Sequence, residues 1–340
     1  AHAGDFKSNL PPLSPPSAPR EEFSVPTDEE YYAALAYYSN LAYDSEPGSD
    51  EYVEACMAGK YLRNKMVSMG KNFSVLNSCV DKYPHAPPER VFAEIRSVFG
   101  FASAFAKTAL PQDVIIKPGF AKIRYVKNNV PYLVQEDSFL KKGEIIFTFD
   151  DGPDLSSQGI AADMLMVREP SIFFVLGKKL NSAGRAIIRA ENLMGHYIAV
   201  HGYYHATETD APYTAYPTSK ILDHISLVSD MIKDAAGAKP LFFRPPYGIM
   251  APDALESVIS DLKLVPLGWT IDTLDWSVKS PDELFDKAIA LIQKRGKGII
   301  LMHDTQPQTA QTAGRLVIWL KDNNYKIVSP ERITRAFYKD

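Results

Sequence analysis

The sequence predicts an α/β protein, with a parallel sheet in its second half preceded by a small all-α unit and a short β connector. Three observations carry this. Beyond Gly143, short apolar runs alternate with helix-compatible stretches, the pattern of βα units on a parallel sheet. Before residue 110 the apolar residues recur at helical spacing instead. Between the two, three β-rich runs follow one another closely. With 340 residues, 46% hydrophobic and 23% charged, the chain has an ordinary globular composition and can bury a sizeable core. A formal net charge of −4 excludes a protein held on nucleic acid by its own charge. No apolar run nears the roughly 20 residues of a transmembrane helix. Two cysteines exclude a disulfide-dense scaffold and a four-thiolate zinc site, and leave a His/carboxylate metal site open.

Each element follows from local signals. Residues 1–26 hold Pro11, Pro12, Pro15, Pro16, Pro19 and Pro26 among serines and alanines, which favours polyproline II and a semi-rigid arm. A solvated tail accounts for it better than a PxxP partner motif does. Ala1-His2-Ala3 reads as the start of an exported mature chain or of a trimmed one. The expected location is therefore secreted, periplasmic or cell-envelope.

Residues 27–110 read as a helical accessory domain. Thr27-Asp28-Glu29-Glu30 is a capping box, and Tyr31, Leu35, Tyr38 and Ala42 follow at helical spacing. Pro47-Gly48-Ser49-Asp50 ends that helix and caps a second, through Val53, Met57, Tyr61 and Leu62. Pro87-Pro88-Glu89 opens a third, with Phe92, Ile95, Phe99 and Ala102 on one face. The tyrosines of 31–43 exceed one core stripe; core packing accounts for most, a sugar or partner surface for the remainder. Cys56 and Cys79 lie in adjacent helical segments. They are expected to be bridged in an oxidising compartment, or else to stay as buried thiols. Residues 111–142 form the β connector, from the runs at 114–116, 123–126 and 131–134.

Residues 143–340 form the α/β domain. Its apolar runs are Ile145–Phe149, Ile172–Leu176, Tyr197–Val200, Leu241–Phe243, Leu264–Leu267, Ile299–Leu301 and Lys326–Val328. Helices are expected at Ser219–Ala235, Asp253–Asp261, Pro281–Lys294 and Thr309–Lys321. Periodicity does not decide whether the sheet is open or closed. Polar residues stand where four runs end: Thr148-Phe149-Asp150-Asp151-Gly152-Pro153, His201-Gly202-Tyr203-Tyr204-His205, Arg244-Pro245-Pro246-Tyr247-Gly248 and His303-Asp304. In parallel α/β folds such strand ends converge on the active site. Two adjacent carboxylates repel unless one is neutralised. A divalent metal does this, taking one as a ligand and leaving the other as a base. His201 and His205 with one carboxylate leave coordination positions for water and substrate, as in a catalytic zinc site; non-haem iron uses the same set.

These motifs resemble those of the polysaccharide deacetylases, the NodB-homology domain of carbohydrate esterase family 4. TFDDGP at 148–153, HGYYH at 201–205, RPPYG at 244–248, DTLDW at 272–276 and LMHD at 301–304 match the family's five motifs in order. The resemblance runs from about Lys142 to the end and says nothing of residues 1–140. It implies a distorted (β/α) barrel of roughly seven strands, in agreement with the seven runs. It also implies metal-dependent hydrolysis of N-acetyl groups, with Zn²⁺ or another divalent transition metal held by Asp151, His201 and His205. Asp150 is the implied base and Arg244 its orienting partner. The backbone N–H of Tyr247 is the implied oxyanion donor. His303 is the implied acid, kept protonated by Asp275, as an imidazolium beside a carboxylate would be. Tyr247, Trp276 and Leu301 are the implied lining of the sugar and acetyl-methyl pockets.

The second motif departs from the family. Gly202 and Ala206 stand where Ser or Thr and Pro are usual, and Val200 replaces an Asn. Both ligand positions survive, so metal binding is expected with altered surroundings. His196 reads as structural and His224 as solvated; His2 and His85 are given no role. The expected substrate is an N-acetylated polysaccharide, peptidoglycan first and chitin-like polymers next. The alternatives are a silent glycan-binding protein and a small-molecule amidohydrolase. Nucleic acid is not an expected partner, and the oligomeric state stays open.

Overall fold

The computed structural model describes residues 25–46, 48–71, 89–99, 111–126, 129–166, 168–205, 213–214, 216–278 and 280–338. The proline-rich arm before residue 25, His2, Cys79, His85, Ala102 and Ala206 lie outside them.

Among the described residues three helices come first: α1 (Asp28–Asp44), α2 (Asp50–Ser68) and α3 (Glu89–Phe99). The capping box sets the start of α1: Glu30 N donates to Thr27 Oγ1 at 3.3 Å and Thr27 N to Glu30 Oε2 at 2.7 Å. Ser49 caps α2 by accepting from Tyr52 N. Tyr31, Leu35 and Tyr38 pack with Val53, Met57 and Leu62 in one core cluster. Of the tyrosines in α1, Tyr31, Tyr32 and Tyr38 are core and Tyr43 is exposed. Among the α3 side chains described, Val91 and Ile95 are buried and Phe92 is half-buried, while Phe99 lies outside them.

The connector is an antiparallel three-stranded sheet of β1 (Val114–Lys117), β2 (Ala121–Val126) and β3 (Val130–Gln135). The α/β half then runs β4 (Glu144–Gly152), α4 (Leu155–Met166), β5 (Ile172–Val175), α5 (Ser182–Leu193), β6 (Tyr197–Val200), α6 (Thr218–Ala236) and β7 (Phe242–Phe243). It continues through α7 (Pro252–Ser260), β8 (Val265–Pro266), β9 (Ile271–Asp272), α8 (Pro281–Arg295), β10 (Gly298–His303), α9 (Pro307–Asp322), β11 (Lys326–Ile327) and α10 (Glu331–Tyr338). The strands are parallel in the order β8-β7-β6-β5-β4-β10-β9, a curled half-barrel. Its central strands are apolar on both faces because helices cover one side and the barrel interior the other. Phe147, Phe149, Phe173 and Phe174 are all fully buried.

The seven apolar runs of the sequence are not the seven strands of this half-barrel. Lys326–Val328 supplies an eighth strand, β11, paired with the foot of β4 at Glu144 and Ile145. The seventh is β9, whose two ladder residues between Thr270 and Thr273 make no apolar run. Among the described residues no ladder joins β8 to β9. Backbone groups at that seam still need partners, and side chains supply them. Arg244 Nε donates to Leu267 O at 2.8 Å and Nη2 to Gly268 O at 2.7 Å, while Gly268 N donates to Gln135 Oε1 from β3.

The helical unit packs on the same end. Tyr52 Oη donates to Asp272 Oδ2 at 3.0 Å and accepts from Trp269 Nε1 at 3.0 Å. A Cβ at Gly59 would overlap the Trp276 ring, so only glycine allows this approach of α2. Cys56 is a free thiol 3.8 Å from Asp272 Oδ2; its expected bridge partner is Cys79, outside the described residues. Burial pushes the Cys56 thiol and the Asp272 carboxyl up. No described helix is long and apolar enough to cross a membrane.

Candidate active site

One irregularity in β4 brings both acids to the site. Consecutive strand residues point to opposite faces, which would separate Asp150 from Asp151. The ladder with β5 slips between Asp150 and Gly152, and Asp151 takes φ 78°. Such a bulge re-aims side chains: His201 Nε2 is 3.8 Å from Asp150 Oδ2 and 3.3 Å from Asp151 Oδ1.

His201 directly follows β6, its N–H extending the ladder to Val175 O. Gly202 comes next at φ 100°, and a Cβ there would overlap the Tyr213 hydroxyl. The missing Ser or Thr of the second motif thus has a physical reason: Tyr213 fills the space. His201 Nδ1 donates to Arg244 O at 2.9 Å, the tautomer that leaves the Nε2 lone pair facing Asp151. His205 Nε2 lies 3.6 Å from Asp151 Oδ1.

One carboxylate oxygen and two imidazole nitrogens from Asp151, His201 and His205 lie within 4.8 Å of one another. Asp151 Oδ1 and His201 Nε2 are buried and complete no hydrogen bond, a cost that a bound cation would remove. The donor set fits a divalent transition metal with open positions. Burial works against ionising Asp151, but Lys60, His205, His201 and His303 outweigh it and hold the carboxyl well below its usual range.

Arg244 is fully buried, which is costly for a charge unless its donors are satisfied. Besides the two seam carbonyls, Nη1 donates to Asp150 Oδ1 at 2.7 Å and to Thr148 Oγ1 at 2.9 Å. His303 sits opposite Asp150 in the β10–β4 register. Its Nδ1 pairs with Asp275 Oδ1 at 2.6 Å, and Asp275 Oδ2 accepts from His303 N and Thr309 Oγ1. Burial and Lys60 disfavour the imidazolium; Asp275 and Asp151 outweigh them, so the His303 pKa is raised. His303 Nε2 completes no hydrogen bond and lies 3.9 Å from Asp151 Oδ2.

Tyr247 takes φ 58° and Leu274 φ 51°, conformations that are strained for side-chain-bearing residues and cluster at functional sites. The Tyr247 ring packs edge-on to His205 at 4.5 Å. Trp276 lines the cleft beneath α2. Leu301 is buried in β10. His196 is a core residue: Nδ1 accepts from Ser171 N, Nε2 donates to Ala161 O, and burial lowers its pKa. His224 is half-buried against Tyr203, Tyr204 and Tyr216 rather than solvated.

Sequence reasoning missed one wall of the cleft. Lys60, Arg63, Asn64 and Val67 of α2 line it. Lys60 Nζ is 3.9 Å from Asp151 Oδ2, Arg63 donates to Gln306, and Asn64 Nδ2 to Tyr247 Oη at 3.4 Å. Their spacing of i, i+3, i+4, i+7 is visible in the sequence, but a polar helical stripe ordinarily faces water.

The structure is thus a parallel α/β half-barrel with a His/carboxylate centre at its strand ends. Residues 138–265 match the family model described as polysaccharide deacetylase. That segment is thus similar to the polysaccharide deacetylases, in line with the resemblance carried by the sequence motifs. The chain is 26% identical over 267 residues to a peptidoglycan-N-acetylglucosamine deacetylase of Listeria monocytogenes, covering 77% of this chain and 50% of that protein. It is 26% identical over 210 residues to the peptidoglycan-N-acetylmuramic acid deacetylase of Bacillus subtilis, covering 61% and 42%. The chain thus spans about half the length of these relatives. In fold it resembles a solved peptidoglycan N-acetylglucosamine deacetylase (TM-score 0.51, 22% identity, 65% of this chain and 92% of that one). A carbohydrate esterase family 4 pseudoenzyme from Bacillus anthracis has the same TM-score, 0.51, at 20% identity, covering 57% and 66%.

Proposed function

We propose that this chain hydrolyses N-acetyl groups from a glycan, releasing acetate outside the cell or in its envelope. Peptidoglycan is the preferred substrate and chitin-like polymers come next. The observation that carries the reading is the pairing of two proton-handling groups around one ligand set: Asp150 held by Arg244 and His303 held by Asp275, both within 4 Å of His201 or Asp151. The curated relatives with peptidoglycan deacetylase names support the substrate class.

When bound by Asp151, His201 and His205, Zn²⁺ or another divalent transition metal would polarise the acetamide carbonyl and acidify water. Asp150 takes the proton of the attacking water as its oxygen bonds to the carbonyl carbon. Arg244 keeps Asp150 aimed. The Tyr247 backbone N–H donates to the tetrahedral oxyanion. His303 gives a proton to the departing nitrogen as the C–N bond breaks, leaving acetate and a free amine. Tyr247, Trp276 and Leu301 line the sugar and acetyl-methyl pockets.

One observation favours a second reading, a catalytically silent glycan binder. The Lys60 ammonium stands close to Asp151, where its charge opposes a cation. The test is acetate release from peptidoglycan, chitin oligomers and acetylated xylan, with added metals and Asp150→Asn as control. Metal-dependent release that this variant loses supports the enzyme. Glycan binding without release under any metal supports the silent reading.

A further inference from the structure

The charge of the cleft is out of proportion to a neutral sugar. Among the described residues lining its roughly 350 Å³ are Lys60, Arg63, Lys178 and Lys179, and the one acid is Asp151. Lys60 and Arg63 are not an ordinary solvated face, while Lys178 is exposed and Lys179 half-buried at its rim. The Lys60 side chain is 13% exposed, its ammonium 3.9 Å from Asp151 and 5.7 Å from the Tyr247 ring centroid. Arg63 is half-buried and donates to Gln306. Lys178 belongs to the turn after β5 and rests over the Tyr204 ring at 5.9 Å. Sugar hydroxyls and acetamides need hydrogen bonds, not four positive charges. A planar carboxylate does use them, above all the fork of an arginine.

We propose that α2 makes this cleft a reader of acidic glycans. Lys60 and Arg63, with Lys178 and Lys179, bind a carboxylate carried by the glycan near the N-acetyl group to be removed. This rests on the deacetylase reading above and adds a substrate charge to it. The helical unit is then part of the specificity apparatus.

The experiment compares three N-acetylated oligosaccharides: one bearing a carboxylate, the same compound with that carboxylate amidated, and a neutral chitin oligomer. The native chain should prefer the acid over the amide by about tenfold in kcat/KM, with the ratio shrinking as salt rises. Lys60→Met should bring the ratio towards one and Lys60→Arg should restore it. Lys178→Met/Lys179→Met, away from the metal ligands, should also lower it, whereas Lys233→Met on α6 should not. Equal use of acid and amide by the native chain, or full preference in both lysine variants, overturns the proposal. If no compound releases acetate, the deacetylase reading fails by itself. Calorimetric binding of acid and amide to Asp150→Asn then decides the charge reading: tighter binding of the acid supports it, equal binding overturns it.

Discussion

The cleft has two walls built by different means. On the barrel side each reactive group stands at a strand end and is fixed by short bonds: Asp150 by Arg244, His303 by Asp275, His201 by the Arg244 carbonyl. On the helix side, α2 presents long side chains at helical spacing, with Lys60 and Arg63 reaching in from the helical unit. Proton transfer needs donors and acceptors within a few tenths of an ångström, and a β ladder provides that rigidity. Attraction between charges falls off slowly with distance, so a helix face suffices for recognition. The two walls therefore differ in what a substitution should cost.

The largest difference is expected in turnover. Asp150→Asn should lower acetate release by about 10²–10⁴-fold while the metal content per chain stays that of the native protein. Unchanged turnover would move the base off the barrel wall. His201→Ala should lose bound metal and activity together, read by elemental analysis beside the assay.

Next comes a contrast of two arginines, one on each wall. Arg244→Met leaves Asp150 buried without its counter-charge, and a broken buried pair costs about 3–5 kcal/mol. Arg63→Met removes a half-buried, charge-assisted bond to the Gln306 amide, worth about 1.5–3 kcal/mol. Urea midpoints of both variants measure the gap. Equal losses would mean that the walls are equally rigid.

The same contrast explains what the sequence made legible. Strand ends carry Asp150, Asp151, His201, His205, Arg244 and His303 directly after apolar runs, so chain order alone brings them to one rim. The capping box at Thr27 and the cap at Ser49 were equally local and equally readable. Three things were hidden. β9 is two residues long and flanked by threonines, so no run announces it. The bulge at Asp151 is a matter of ladder register, which composition does not encode. The docking of α2 depends on Gly59 meeting Trp276 across more than two hundred residues, a long-range fit with no local signal.

That contact gives a smaller test of whether the helix wall is fixed. Gly59→Ala forces a methyl group into the Trp276 ring, and overpacking of this kind costs about 1–3 kcal/mol. Thermal unfolding should report the loss and near-ultraviolet circular dichroism a changed Trp276 environment. A neutral outcome would show that α2 yields easily and that the wall is adjustable.

A pH-dependent effect concerns what the barrel wall costs the fold. Behind it, Glu191 on α5 is fully buried with neither carboxyl oxygen hydrogen-bonded, and Asp304, next to His303, has Oδ1 likewise unbonded. Burial, with repulsion from Asp304, holds the Glu191 pKa well above 4.5. Burial also raises Asp304 to about 7, against the pull of its bond from Ser157. Each group keeps a proton in the folded chain that the unfolded chain releases at lower pH. Stability therefore falls as pH rises, for Asp304 between 3.8 and about 7 and for Glu191 from 4.5 up to its raised value. The slope per group is at most about 1.4 kcal/mol per pH unit. Glu191→Gln removes one of the two contributions, so urea midpoints from pH 5 to 8 should decline less steeply than in the native chain. Parallel curves would show that Glu191 ionises at no cost in the fold, and would leave Asp304 as the group that makes the barrel wall sensitive to alkali.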